Sequence, residues 1–152
     1  MRVFAAPTEL AAAAGAHLGD SDWHLISQEQ VDRFADDTGD RQWIHTDLTK
    51  AATGPFGGTV AHGFLLLALI PVLLDEVFHV GGTQLVINKE LRRARFLTPV
   101  PVGCRIRATV ELTAARLRPR GFCEAEFTIT AEIESVQKPA FTAEQVFLYQ
   151  HS

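Results

Sequence analysis

From Cys123 to Glu134 the chain alternates without a break: Cys123, Ala125, Phe127, Ile129, Ala131 and Ile133 are apolar, and the residues between them are Glu or Thr. Period two over twelve residues predicts a strand with one buried face. Ile106, Ala108, Val110 and Leu112 alternate in the same way with Arg105, Arg107, Thr109 and Glu111. Arg118-Pro119-Arg120-Gly121 between the two runs reads as a turn, and simple antiparallel register sets Cys123 opposite about residue 116. Residues 83–91 and 141–149 are further strand candidates.

The first half of the chain carries the helical period instead. A short helix is expected over residues 8–14, with Thr8 as its N-cap and Gly15 as its stop, followed by a brief apolar stretch at 23–26. Ser27 with Gln30 fits a capping box; Val31, Phe34, Ala35 and Thr38 share one face, and Gly39 stands where a left-handed C-terminal residue belongs. Asp47 is a good N-cap for a second short helix through Ala52, ended by Gly54 and Pro55. Residues 60–78 read as the longest helix, apolar on nearly all sides, with Pro71 placed to kink or divide it. A helix of that kind must be enclosed, and the strands each offer one apolar face. The expected class is α+β, a curved antiparallel sheet wrapping a long central helix, in one domain over residues 1–152.

Composition narrows the partners. Of 152 residues 47% are apolar and 21% charged, with 14 Lys and Arg against 18 Asp and Glu, a net charge of -4. This is an ordinary globular balance, and it argues against a nucleic-acid partner, which needs a dense basic surface. The apolar run at 64–74 is well short of the ~20 residues that span a bilayer, so no membrane span is expected. The N-terminal alanine run is interrupted by Pro7, Thr8 and Glu9 and does not read as a signal peptide. With only Cys104 and Cys123, set far apart along the expected hairpin, no disulfide is expected and the compartment reads as the reducing cytosol.

Two segments carry residue types suited to chemistry. In Phe34-Ala35-Asp36-Asp37-Thr38-Gly39-Asp40-Arg41-Gln42-Trp43-Ile44-His45 an acid and an imidazole lie five residues apart, just past a helix end. A carboxylate beside a histidine can fix its tautomer or share a water with it, as general acid–base catalysis requires; a turn aspartate and a structural histidine are the plainer reading. In Pro55-Phe56-Gly57-Gly58-Thr59-Val60-Ala61-His62-Gly63-Phe64 a glycine-rich loop runs into the apolar helix, whose first N–H groups lack internal partners and can stabilise an oxyanion; the glycines otherwise only turn the chain. Neither a P-loop nor a strand-to-helix GxGxxG is present, no G-x-S-x-G elbow occurs, and the six histidines show no HExxH or paired spacing, so no metal site is assigned. Arg92, Arg93 and Arg95 form the one dense basic cluster, either a phosphate contact for a nucleotide-bearing substrate or a solvated strand face.

Together the two segments resemble the MaoC-like, or R-specific enoyl-CoA hydratase, family, whose signature runs aromatic, Gly-Asp, four residues, His, and later His-Gly at a helix start. Here it is Phe34, Gly39-Asp40 and His45, then Ala61-His62-Gly63-Phe64. The stretch Arg95-Phe96-Leu97-Thr98-Pro99-Val100-Pro101-Val102-Gly103 also looks like the family's later lead-in to a strand. Gln42-Trp43 stands where many members have Asn-Pro, and Gln-Trp-Ile-His looks like the NodN-type branch. The resemblance implies a hot-dog fold, a homodimer, no cofactor, and reversible hydration of a trans-2-enoyl thioester on CoA or acyl-carrier protein. It implies Asp40 and His45 as the catalytic pair and the backbone N–H of Gly63 as oxyanion donor, with Trp43, Phe56, Gly57, His62, Arg92 and Arg95 as candidate substrate contacts. Thioester hydrolysis and a non-catalytic acyl-thioester-binding subunit are the competing readings.

Overall fold

The computed structural model describes residues 1–152. In chain order the elements are β1 (Arg2–Phe4), α1 (Thr8–Ala12), β2 (Ala16–Asp20), β3 (His24–Leu25), α2 (Gln28–Thr38), α3 (Trp43–Thr46), α4 (Leu48–Ala52), α5 (Gly63–Ala68), α6 (Ile70–Val77), β4 (Phe78–Val80), β5 (Thr83–Phe96), β6 (Arg105–Arg118), β7 (Phe122–Ile133) and β8 (Phe141–His151). The main sheet runs β2-β6-β7-β8-β5 with β3 also on β6, all antiparallel, and β1 pairs with β4 in parallel. The alternation in β6 and β7 lays Ile106, Ala108, Val110, Leu112, Ala125, Phe127, Ile129 and Ala131 against α6, whose Ile70, Leu73, Leu74 and Val77 complete the core. This is the α+β hot-dog arrangement, a curved sheet folded around a helix.

Local signals account for most element ends. The Ser27 side chain accepts from the Gln30 amide at the start of α2, and Gly39 closes that helix at φ 81°. Asp47 accepts from the Lys50 amide and starts α4. The β6–β7 turn falls at residues 119–121 as expected, with Arg120 and Gly121 at positive φ, but Cys123 pairs with Leu117, one residue from the expected partner. Both cysteines are free, and burial pushes the Cys123 thiol up.

Four expectations are corrected. Thr8 is the first residue of α1 and makes no capping bond; Pro7 occupies the cap position. The expected loop between Gly39 and Asp47 contains the one-turn helix α3. The strand expected at 83–91 continues to Phe96, carried through three bulges, one of which spans Arg93 at φ 47°.

The fourth correction matters most for the site. The long helix begins only at Gly63, because residues 59–61 run extended: the Val60 amide donates to Ile44 O, Ala61 to Val100 O, and Thr59 O accepts from Val102. It then divides at Leu69, since Pro71 has no N–H to return to the preceding turn. It is not apolar-enclosed all round, for Phe64 is 72% exposed. No helix is long and apolar enough to cross a membrane.

Candidate active site

The extended segment at 59–61 brings the two motif segments together. Its outer edge faces α3, and the His45 ring donates from Nδ1 to the Val60 carbonyl at 2.6 Å. That bond leaves Nε2 as the acceptor nitrogen, the form in which an imidazole takes a proton. His45 is 7% exposed, although one-turn helices usually lie on the surface. Its burial follows from being pulled against Val60.

Asp40 lies just past Gly39, with its side chain exposed. Its own restraints are long: its amide donates to Thr38 Oγ1 at 3.4 Å, and its Oδ1 accepts from the Gln42 amide at 3.5 Å. Even so, a carboxylate oxygen of Asp40 and a ring nitrogen each of His45 and His62 lie within 4.8 Å of one another. Acid and imidazole are therefore close enough to share one water. The set is also the chain's one cluster of metal-type donors. The His45 and His62 rings, however, stack at 3.9 Å and 26°. Stacked rings hold their in-plane lone pairs side by side, whereas a metal needs them to converge at about 2.0–2.1 Å. The geometry suits a shared water better than a cation.

Gly63 follows directly. As the first residue of α5 its N–H has no intrahelical acceptor. It borders a groove of about 370 Å³ lined by Ala61, Phe64, Leu66, Phe96, Pro99 and Val100 among others. A Cβ at Gly63 would lie 2.8 Å from the Phe96 ring, so the backbone here approaches an aromatic edge that any other residue would push aside. A larger cavity of about 640 Å³ opens between α6, β4 and β5 and holds none of the motif residues. The smaller groove takes in Gly63 but neither Asp40 nor His45, to which it connects through His62, and an apolar groove at a free N–H outweighs size as a mark of the site.

The remaining candidates fall in different places. Trp43 opens α3, its ring against Gly54 and under the Lys50 ammonium at 4.7 Å. Phe56 is 46% exposed on the loop after α4, beside Gly57 at φ 69°. His62 is buried behind the pair. Arg92 is engaged by Glu90 and Glu126 on the sheet face opposite the helices; the Glu90 carboxylate raises its guanidinium above the ordinary value, burial opposing, and itself falls below the usual carboxylate range. Arg93 pairs with Glu144, while Arg95 forms no ion pair and lines a shallow pocket with Thr128 and Thr142.

One supporting residue was not expected. Gln28 donates from Nε2 to the His45 carbonyl at 2.7 Å and accepts at Oε1 from the Thr59 hydroxyl at 2.6 Å. A single amide thus ties α3 to the extended segment. In the sequence it reads only as a polar residue in a first helical turn; its partners lie 17 and 31 residues away.

Known proteins place this arrangement in a lineage. The family model described as MaoC like domain matches residues 9–136. The chain is 49% identical over 149 residues, 98% of its length and 99% of the relative's, to 3-hydroxyacyl-thioester dehydratase Z of Mycobacterium tuberculosis (strain ATCC 25618 / H37Rv). It is 38% identical over 145 residues, 94% of its length and 90% of the relative's, to nodulation protein N of Rhizobium meliloti (strain 1021). The solved (R)-hydratase from A. caviae involved in PHA biosynthesis superposes with a TM-score of 0.68 at 28% identity, over 87% of this chain and 96% of that one. With the family model matched over residues 9–136 and nearly the whole length shared at 49% identity with a relative, the chain belongs to the MaoC-like family.

Proposed function

We propose that the chain catalyses (R)-specific hydration of a trans-2-enoyl thioester, reversibly dehydrating the (R)-3-hydroxyacyl thioester. The observation that carries this reading is the Asp40–His45 pair within shared-water distance, with His45 Nδ1 already committed to Val60. The water donates one hydrogen to His45 Nε2 and the other to the Asp40 carboxylate. As its oxygen bonds to C3, one of the two takes a proton, and return of that proton from the same side to C2 completes a syn addition and regenerates the pair. Negative charge gathers on the thioester oxygen, where the Gly63 N–H donates to it. The chain needs no further electrophile for this step, because the thioester carbonyl already polarises C3.

The groove at Gly63 supports an apolar acyl group, with Phe64 and Phe96 at its rim. CoA or an acyl-carrier protein bears the thioester, and Arg95, unpaired, is the free cation of the 92–95 cluster for its phosphates. The chain forms a homodimer through β5. That strand is an edge of the sheet with fourteen residues, and Leu85, Val86, Ile87 and Leu91 are 39–49% exposed along it. A long apolar edge left open invites pairing with another chain.

The test uses crotonyl-CoA with a thiol reagent present. Hydration removes the conjugated enoyl absorbance and releases no thiol; Asp40→Asn and His45→Ala each lose about 10²–10⁴ in rate while remaining folded. Stoichiometric thiol release would replace this reading with hydrolysis, and near-wild-type turnover in both variants would remove the pair from the mechanism.

A further inference from the structure

His62 is 2% exposed, and no step above uses it. Its Nε2 donates to the backbone carbonyl of Asp40 at 2.8 Å. Its ring stacks on His45 at 3.9 Å, and Phe34 packs against it at 5.0 Å. Nδ1 is buried and has no partner. A phenyl ring would fill the same place without stranding a polar atom, so the imidazole is a poor choice if the position only packs. What it adds over a phenyl ring is the donor to Asp40.

That donor matters because Asp40 is otherwise weakly held. Its other hydrogen bonds are 3.4 and 3.5 Å long, and the residue follows a left-handed glycine with its side chain in solvent. His62 makes the one short contact to it. Resting on the Asp40–His45 reading, we propose that His62 is a positioning residue that sets the two members against each other: its hydrogen bond fixes the backbone of Asp40, and its face fixes the plane of the His45 ring. The Asp40 carboxylate and His45 Nε2 then meet one water at constant separation, although they come from a loop and a one-turn helix. Because Nε2 faces a carbonyl, His62 carries its hydrogen there.

Two substitutions divide the roles. His62→Phe keeps the ring and the stack but removes the donor; His62→Gln sets an amide donor near the Nε2 position but removes the stack. For crotonyl-CoA hydration, His62→Phe is expected to lower kcat by about 10–100-fold, since a misplacement near 1 Å costs on that order. KM should stay within about threefold and Tm should not fall. His62→Gln is expected to recover at least part of that kcat even if it is the less stable variant. Wild-type kcat in His62→Phe would overturn the proposal, as would losses in both variants that track Tm with no recovery in Gln. In the wild-type protein, ¹⁵N-resolved ring spectra at pH 8 should show the His62 hydrogen on Nε2, and a hydrogen on Nδ1 would overturn it without any assay of activity. An active wild type with an indifferent His62→Phe removes only this inference; a wild type that hydrates no enoyl thioester removes the functional reading, while the ring spectra still judge the His62 contact.

Discussion

Replacing Gly63 by alanine separates the oxyanion role of this residue from its packing. The added Cβ would lie 2.8 Å from Cε1 and Cζ of Phe96 and 3.1 Å from Cδ1, against roughly 3.5 Å for an unstrained carbon contact. The ring edge must therefore retreat by about 0.7 Å. Phe96 is 51% exposed, so its ring can swing into solvent. Over a side chain of this length the swing is about 10°, far less than the ~30° departure that costs about 0.5–1.5 kcal/mol. Gly63 is the first residue of α5, so only part of alanine's helix-interior advantage over glycine, about 0.5–1 kcal/mol, is gained there. Stability should stay within about 1 kcal/mol of wild type, a Tm change of no more than about 2–4 °C for a chain of this size. Activity should not be spared, because the methyl stands beside the N–H that meets the thioester oxygen. The N–H itself survives the change, so the methyl acts only by obstructing the oxygen's approach to it; full obstruction equals the loss of one donor, about 10²–10³, and kcat/KM for crotonyl-CoA should fall by up to about 10²-fold, near 2.7 kcal/mol. Phe96→Leu and the double variant decide the cause. If the methyl itself obstructs the oxyanion, the two losses add; if the displaced ring is responsible, Phe96→Leu restores activity to Gly63→Ala. Full restoration, or wild-type kcat/KM in Gly63→Ala alone, would refute the reasoning that a methyl at residue 63 obstructs the thioester oxygen.

Two further outcomes follow from the structure. Glu124 is buried between Arg118, 2.8 Å away, and Lys89, and these two cations hold its carboxyl down to about 2 from an ordinary 4.5. A depressed carboxylate stabilises the fold above its unfolded value, and that contribution is lost as pH falls from about 4.5 toward 2; Glu124→Gln should lower stability at pH 7 by about 1–3 kcal/mol and flatten the acid limb of a denaturation series. Gln28→Ala removes both bonds that tie α3 to residue 59, and should cost about 1–2 kcal/mol in denaturant titrations together with a roughly tenfold loss of kcat.

Much of this was legible along the chain for definable reasons. The β6–β7 hairpin was readable because period two with a single polar face has no helical counterpart, and the start and the end of α2 because Ser27 and Gly39 each satisfy a backbone need that few residues meet. Asp40 and His45 were singled out because they follow that end at a motif spacing. The start of the long helix was misplaced for a different reason. Val60 and Ala61 are apolar in either an extended or a helical chain, and what makes them extended is pairing with Val100 and Ile44, which no local pattern reveals. Gln28 was missed because its role exists only once Thr59 and the His45 carbonyl have been folded onto it. The arginine cluster stayed ambiguous because its partners Glu126 and Glu144 lie on other strands.

In the proposed reaction one water held between Asp40 and His45 adds to C3 of an enoyl thioester from a fixed side. Its most direct test is the configuration of the product formed from crotonyl-CoA by the wild-type chain, with Asp40→Asn assayed beside it. The expected product is (R)-3-hydroxybutyryl-CoA with the thioester intact, formed about 10²–10⁴ more slowly by the variant. An (S) or racemic product, or an undiminished rate in Asp40→Asn, would contradict it.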